Sequence, residues 1–246
     1  MKRFTLFYIV LVVLLTSGVS FSQYYVKLGG GYNLSFNSIY WGANSSGTEN
    51  RTYEAVNGSL GEGINFTGAF GYDFSSNIGL ELDLIYKLSQ EFEEKDTYEQ
   101  GTNTSTIKGS FFGFAPSFVI NAPLESVKPF VKFGLLVALP AAEYEYVDSD
   151  GDTEKGTFGG GVDFGLTGGA GILVPISTKI NFIAEVDFIS FTWKPTEIEV
   201  TEYDGTIQTI KLEDEWTSND ENTSGPVFIP FSNVGLNVGV GRFVNA

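Results

Sequence analysis

From residue 24 to residue 243 the chain alternates between stretches of about a dozen residues and polar connectors, and most stretches place hydrophobic side chains at every second position. A period of two indicates β-strands, because successive side chains of a strand point to opposite faces. In one stretch Leu80, Leu82 and Leu84 share one face, whereas Glu81 and Asp83 share the other. The pattern predicts an all-β protein whose eight strands we place at 24–36, 63–73, 78–88, 108–120, 128–139, 159–174, 179–194 and 230–243.

Two architectures accept this alternation. A soluble sandwich or lipocalin-like barrel turns its apolar face inward, where large side chains fill a core. A membrane barrel turns the apolar face outward to lipid and keeps small or polar residues inside. Here the polar faces are dominated by Gly, Ala, Ser, Thr and Asn, with charges in mid-strand. Small residues suit a narrow lumen, so the composition favours an eight-stranded, antiparallel, up-and-down transmembrane β-barrel.

The connectors alternate strictly in length. Those at 37–62, 89–107, 140–158 and 195–229 are long, whereas those at 74–77, 121–127 and 175–178 are short. Outer-membrane barrels have long extracellular loops and short periplasmic turns, whereas a sandwich has no reason to alternate in this way. The lengths therefore assign the four long connectors to the cell surface and both ends of the barrel to the periplasm.

The N-terminal residues have the features of a secretory signal. Lys2 and Arg3 precede the apolar run 7–15, and the small residues of 16–22 provide a cleavage site near Ser22. A membrane anchor is the alternative reading, but this run is shorter than the about 20 apolar residues that a spanning helix needs. We therefore expect residues 1–22 to be removed and residues 23–246 to form one barrel domain in the cell outer membrane.

Charge and composition exclude several functions. Without Lys2 and Arg3 the chain has 12 basic and 30 acidic residues, a formal charge of −18 that argues against a nucleic-acid partner. The sequence contains no cysteine, so disulfides cannot stabilise it. It also contains no histidine, which the lipases, deacylases and proteases built on small barrels use as general base. We therefore expect no enzymatic activity and no cofactor.

Four segments resemble the outer-membrane β-barrel superfamily that includes OmpA-like, OmpX-like and opacity-type proteins. They are YYVKLGGGYNLSF (24–36), KPFVKFGLL (128–136), GVDFGLTGGAGILVPIS (161–177) and NVGLNVGVGRF (233–243). The signal ending SFSQ is similar to those of exported Bacteroidetes proteins. The resemblance implies a porin-like, monomeric outer-membrane barrel in contact with lipid and lipopolysaccharide. Two features depart from the family pattern: Val244, Asn245 and Ala246 follow the last aromatic residue, and we expect no peptidoglycan-binding domain after the barrel.

Charged residues on the inward faces predict a charge network inside the lumen. Burying unpaired charges costs several kcal/mol each, so ion pairing explains them better than acid–base or cation-binding chemistry does. The predicted network consists of Lys27, Asp73, Glu81, Asp83, Lys87, Lys132, Asp163, Glu185 and Asp187.

One acidic connector resembles a calcium-binding loop. Asp148, Asp150, Asp152 and Glu154 alternate around a glycine and could offer four oxygen ligands to Ca²⁺. An EF-hand would place Gly at position 153 and Glu at position 159, where this chain has Thr153 and Gly159. The sequence thus raises the hypothesis of a weak calcium site, against the alternative of a solvated acidic loop.

The strand pattern leaves two functions open. The first is a structural or surface-interaction role, carried by the four long acidic connectors and a protein partner, with a lumen plugged by side chains. The second is a narrow channel or an accessory of an outer-membrane transport or secretion system. Eight strands enclose a space only just wide enough for side chains, which favours the first.

Overall fold

The computed structural model describes residues 23–46, 52–99, 101–122, 124, 126–212, 223–224 and 227–245. The predicted signal segment 1–22 lies outside these residues. Eight long strands pair with their neighbours in antiparallel register, and the last pairs with the first, so the sheet closes into a barrel. The barrel consists of β1 (Gln23–Ser35), β4 (Gly63–Asp73), β5 (Ile78–Ser89), β7 (Gly101–Asn121), β8 (Lys128–Val147), β10 (Asp163–Pro175), β11 (Ile180–Ser190) and β17 (Asn233–Asn245).

The predicted fold class is confirmed, and so is the register of the clearest strands. Period two places large hydrophobic side chains on the outside of the wall, where they form an apolar belt. On β5, Leu80, Leu82 and Leu84 are exposed on the outside, while Glu81 and Asp83 are buried inside. The belt continues around the barrel through Leu28, Phe66, Phe70, Phe114, Leu135, Leu166, Phe188, Leu236 and Val238. Such a surface is stable only in contact with lipid.

Two short turns at the periplasmic end are closed by serine side chains. Ser75 Oγ accepts hydrogen bonds from the backbone N–H groups of Asn77 and Ile78, at 3.3 and 3.2 Å. In the same way Ser177 Oγ accepts hydrogen bonds from Lys179 and Ile180. A hydroxyl that bonds the backbone two or three residues ahead favours a tight reversal of the chain. These turns fix the register of the two hairpins that they join.

Several strand ends differ from the sequence prediction. The fourth and fifth predicted strands, 108–120 and 128–139, are too short, because β7 and β8 continue as a paired hairpin well above the belt. The predicted strand 159–174 begins too early. Gly160 and Gly161 have φ values of +83° and +89°, a left-handed backbone that interrupts the strand before β10.

The long connectors also contain strands, which the sequence prediction missed. They are β2 (Ile39–Ser46), β3 (Thr52–Gly58), β6 (Phe92–Tyr98), β9 (Thr153–Gly159), β12 (Thr192–Trp193), β13 (Glu197–Thr201), β14 (Ile207–Leu212), β15 (Thr223–Ser224) and β16 (Ile229–Pro230). All except β12 and β16 join the upper parts of β7 and β8 in the order β3-β2-β6-β7-β8-β9-β13-β14-β15. We call this assembly the extracellular sheet.

Candidate functional site

The inward side chains of the barrel form a charge cluster around Lys132. Its Nζ atom lies 2.8 Å from Asp83 Oδ1, 3.0 Å from Glu185 Oε1 and 3.2 Å from Glu81 Oε1. All four side chains are buried, so the ion pairs lie away from bulk water. Three carboxylates from two different parts of the barrel wall therefore share one ammonium group.

Lys27 completes this cluster. Its Nζ atom lies 2.5 Å from Glu81 Oε2, and it also lies 4.6 Å from the ring centroid of Phe130 and 4.9 Å from that of Tyr25. A cation over an aromatic face gains electrostatic stabilisation, and more so where water is excluded. Lys27 thus links the charge cluster to the apolar residues at the periplasmic end.

Small residues on neighbouring strands make room for these long side chains. Gly169 lies opposite both Lys132 on β8 and Asp187 on β11. A Cβ atom at Gly169 would lie 2.5 Å from Glu185 Oε1, so a larger residue there would displace the carboxylate. The glycines on the inward faces therefore determine where the charged side chains can lie.

Two further charged groups lie on either side of the cluster. Toward the periplasm, Asp73 Oδ2 lies 2.9 Å from Lys128 Nζ, and Asp73 Oδ1 accepts a hydrogen bond from Asn121 Nδ2 at 3.2 Å. Toward the extracellular end of the lumen, Lys87 is fully buried, and it lies opposite Asn65 in the pairing of β4 with β5. Asp187 is also buried on the outer side, where it lies opposite Gly235.

Asp163, which the sequence assigned to the lumen network, lies outside the charge cluster. It lies at the extracellular start of β10, and its Oδ2 atom accepts a hydrogen bond from the backbone N–H of Lys194 at 3.1 Å. Its carboxylate therefore fixes the chain after β12, at the mouth of the barrel. The structure does not bring Asp163 to the ion pairs around Lys132.

Buried asparagines in the outer half of the lumen were missed by sequence reasoning. Asn33 Nδ2 donates a hydrogen bond to Asn233 Oδ1 at 2.6 Å, and Asn233 Nδ2 donates one to the carbonyl of Phe231 at 2.8 Å. Asn65, opposite Lys87, and Asn237, opposite Glu185, are also buried. Asparagine on an inward face looks like any small polar residue in a sequence, so only the closed barrel identifies this polar layer.

Apolar clusters lie above and below the charged layers. The upper cluster, which we call the outer plug, joins wall residues to residues from the long connectors. Phe231 stacks on Phe191, with 5.2 Å between ring centroids and an interplanar angle of 2°, and both rings meet Phe111 edge-on. Leu60 reaches the same cluster from the first long connector. The lower cluster consists of Tyr25, Val119, Phe130, Leu173, Ile183 and Phe243.

Trp193, which falls within the predicted strand 179–194, belongs to the outer plug. Its side chain is fully buried, and its Nε1 atom donates a hydrogen bond to the carbonyl of Gly160 at 3.0 Å. The chain leaves the barrel wall after Ser190, but the alternation of buried and exposed residues along β11 continues through Phe191 to Trp193. Trp193 therefore lies on the same inward side as Glu185 and Asp187, as strand alternation alone predicts.

The predicted calcium loop folds as a hydrogen-bonded turn. Asp148 Oδ1 accepts hydrogen bonds from the backbone N–H groups of Asp150 and Asp152, both at 2.9 Å, and Glu154 Oε1 accepts one from Tyr144 Oη at 2.6 Å. Burial and the contact with Glu154 raise the pKa of Tyr144. In the described part of the chain, no three acidic side chains converge on a metal site. Calcium binding by these four residues stays a prediction.

The outer face of the barrel is apolar, its interior holds charges and asparagines, and its connectors are long at one end and short at the other. The chain is a β-barrel of the outer-membrane type. Among the described residues, no helix is long and apolar enough to cross a membrane.

No protein-family model matches the sequence, and no curated protein matches it. Solved structures with a similar fold include the outer membrane protein OprG of Pseudomonas aeruginosa, at 12% identity and a TM-score of 0.47, covering 92% of this chain and 97% of that one. Neisserial surface protein A has 11% identity and a TM-score of 0.38, covering 89% and 96%. The outer membrane protease OmpT of Escherichia coli has 10% identity and a TM-score of 0.39, covering 91% and 96%.

The outer connections carry most of the acidic residues of the chain. The four outer connections, at 36–62, 90–109, 140–162 and 191–232, contain 23 of the 30 acidic residues but only 6 of the 14 basic ones. Within the sheet, Lys108 pairs with Glu143 at 3.5 Å and Lys155 with Glu145 at 3.3 Å, all four side chains being about half exposed. Exposed pairs of this kind stabilise little, about 0–1 kcal/mol. The sheet therefore presents a hydrated acidic surface.

Proposed function

We propose that this protein is an outer-membrane barrel with a closed lumen that acts through its extracellular sheet, as a surface-interaction protein and not as an enzyme or an open channel. The observation that carries the proposal is the ordered sheet itself. The outer connectors pair with one another over nine strands, so they present a defined surface outside the membrane. A binding surface held on paired strands loses less conformational entropy on association than flexible loops do.

Charge indicates the kind of partner that the sheet fits. Its excess of acidic residues favours a cationic partner and repels anionic ones. The sequence has no histidine and no cysteine, so the usual general bases and thiol nucleophiles are missing. The lumen contains side chains at every level between its two apolar clusters, which supports the closed state.

Binding of a cationic peptide tests the proposed surface role. The folded barrel should bind fluorescent deca-lysine and not deca-glutamate, and binding should weaken steeply as salt rises to about 0.5 M, because screening shortens the range of charge attraction. Neutralising β13 and the residue after it with Glu197→Gln, Glu199→Gln and Glu202→Gln should weaken binding several-fold. The control Lys95→Gln with Lys211→Gln should strengthen it. Equal binding of both peptides would contradict the proposed cationic partner.

The second expectation concerns assembly in the membrane. Folded and boiled samples should migrate differently on a denaturing gel, because a closed sheet has no free edge and resists detergent. The shift should appear in the outer-membrane fraction of cells that express the chain. Recovery of the protein in the soluble periplasmic fraction would overturn the membrane location.

The third expectation concerns transport. In a planar bilayer the purified barrel should show no stable conductance steps of porin size, because Lys132, Glu81 and Glu185 fill the lumen between the apolar clusters. A porin inserted under the same conditions provides the positive control. Regular open steps from the intact barrel would instead support the channel alternative.

A further inference from the structure

The outward face of the extracellular sheet contains a polar cleft that the surface role does not explain by itself. The cleft has a volume of about 350 Å³ and lies across β7, β8, β9 and β13. Two lysines, three threonines and three glutamates line it: Lys108, Lys155, Thr106, Thr157, Thr201, Glu91, Glu143 and Glu145. Its volume is that of a site for a small ligand.

The cleft lies on the same side of the wall as the apolar belt. Lys108 and Phe112 share the outward face of β7, since they are separated by an even number of residues along one strand. On the opposite face of the sheet at this level, the side chains of Ala142, Ile198 and Val200 are buried. A molecule in the cleft would therefore stand beside the barrel, directly above the lipids that surround it.

The height of the cleft above the apolar belt indicates which part of a lipid molecule can reach it. Lys108 lies four residues above Phe112, the last large apolar residue of the belt on β7. At about 3.4 Å per residue and a tilt of about 40°, this places the cleft about 10 Å above the apolar belt. A phospholipid headgroup layer is only about 5–8 Å thick. The cleft thus lies above phospholipid headgroups, at a level that the sugar chains of an outer-leaflet glycolipid reach.

The lining decides which part of a glycolipid fits. Threonine hydroxyls, carboxylates and ammonium groups provide the donors and acceptors that sugar hydroxyls need. Three carboxylates against two ammonium groups, within a strongly acidic sheet, oppose a phosphate group. The two lysines are paired with glutamates at 3.3 and 3.5 Å, which further reduces their attraction for an anion.

We propose that this cleft binds an uncharged saccharide unit of an outer-leaflet glycolipid. The sugar lies across β8 and β9, and accepts hydrogen bonds from Lys108, Lys155 and the Thr157 hydroxyl while its own hydroxyls donate to Glu143 and Glu145. The proposal rests on the outer-membrane location given above. It adds a ligand class and a site on the outward side of the sheet, distinct from the acidic surface as a whole.

Saturation-transfer NMR with the detergent-folded barrel tests it. The probe is the core oligosaccharide of lipopolysaccharide, released from lipid and dephosphorylated. We expect transfer to the sugar, and shifts at the amides of Thr106, Thr157 and Thr201. The double variant Lys108→Ala with Thr157→Val should weaken binding about tenfold, the effect of losing a pair of hydrogen bonds. The matched control Lys211→Ala with Thr209→Val lies on β14, outside the cleft, and should bind as the intact chain does.

Three outcomes would overturn the proposal. They are no transfer to the dephosphorylated sugar, equal binding by the cleft variant and its control, and binding of only the phosphorylated oligosaccharide. The heat-modifiability gel, run on the same sample, separates this failure from failure of the barrel assignment. A correctly shifted band together with absent sugar binding contradicts the saccharide site alone.

Discussion

Replacing Lys132 by methionine should lower the free energy of unfolding by about 3–5 kcal/mol, because the substitution leaves buried carboxylates without a compensating charge. Lys132 is the shared partner of Asp83, Glu81 and Glu185, all buried. Methionine retains most of the side-chain volume, so lost packing contributes little. Urea unfolding in lipid vesicles, followed by the gel shift of the folded barrel, measures the change.

Two comparisons make this prediction specific to the charge cluster. Lys108→Met removes an exposed lysine and its pair with Glu143, and it should cost no more than about 1 kcal/mol. Adding Asp83→Asn and Glu185→Gln to Lys132→Met should recover part of the lost stability, since the uncompensated charges are then gone. If Lys132→Met and Lys108→Met were equally stable, the cluster would not hold the barrel as the distances indicate.

Leu82→Arg should cost about 2–4 kcal/mol, the penalty for a cation on the lipid face near the bilayer midplane. Leu82 lies in the middle of the outward row of β5 and is 42% exposed, and in the folded protein that exposure is to lipid. Arginine can reach polar headgroups from there only by bending along the wall. The yield of heat-modifiable protein and urea unfolding in vesicles report the loss.

Neighbouring substitutions provide the controls for this effect. Leu82→Phe keeps an apolar side chain against lipid and should change stability by much less. Asp83→Asn faces the lumen, keeps an oxygen acceptor for Lys132 Nζ, and should also cost less than Leu82→Arg. A larger loss from Asp83→Asn than from Leu82→Arg would mean that inward and outward positions of β5 are exchanged, a shift of one residue in register.

The sequence predicts those features of the structure that depend on neighbouring residues within one strand, and not those that depend on contacts between distant strands. Outward Leu80, Leu82 and Leu84 and inward Glu81 and Asp83 follow from alternation alone, since strand geometry places neighbours on opposite faces. The same argument assigned Lys27, Lys87 and Lys132 to the lumen side. It could not say which carboxylate each lysine meets, because pairing depends on the register of strands distant in sequence.

The sequence by itself determined the barrel, the number of its strands, the lipid-facing side and the acidic character of the outer connectors. Only the tertiary structure decided that those connectors pair into a sheet, that Leu60 and Phe231 close the barrel mouth, and that Asp163 holds the chain near Lys194 and stays apart from the ion pairs. The physical reason is the range of the interactions. Alternation acts between neighbours within one strand. The outer plug and the extracellular sheet instead come from contacts between segments far apart in sequence, and the periodicity of the sequence does not identify such contacts.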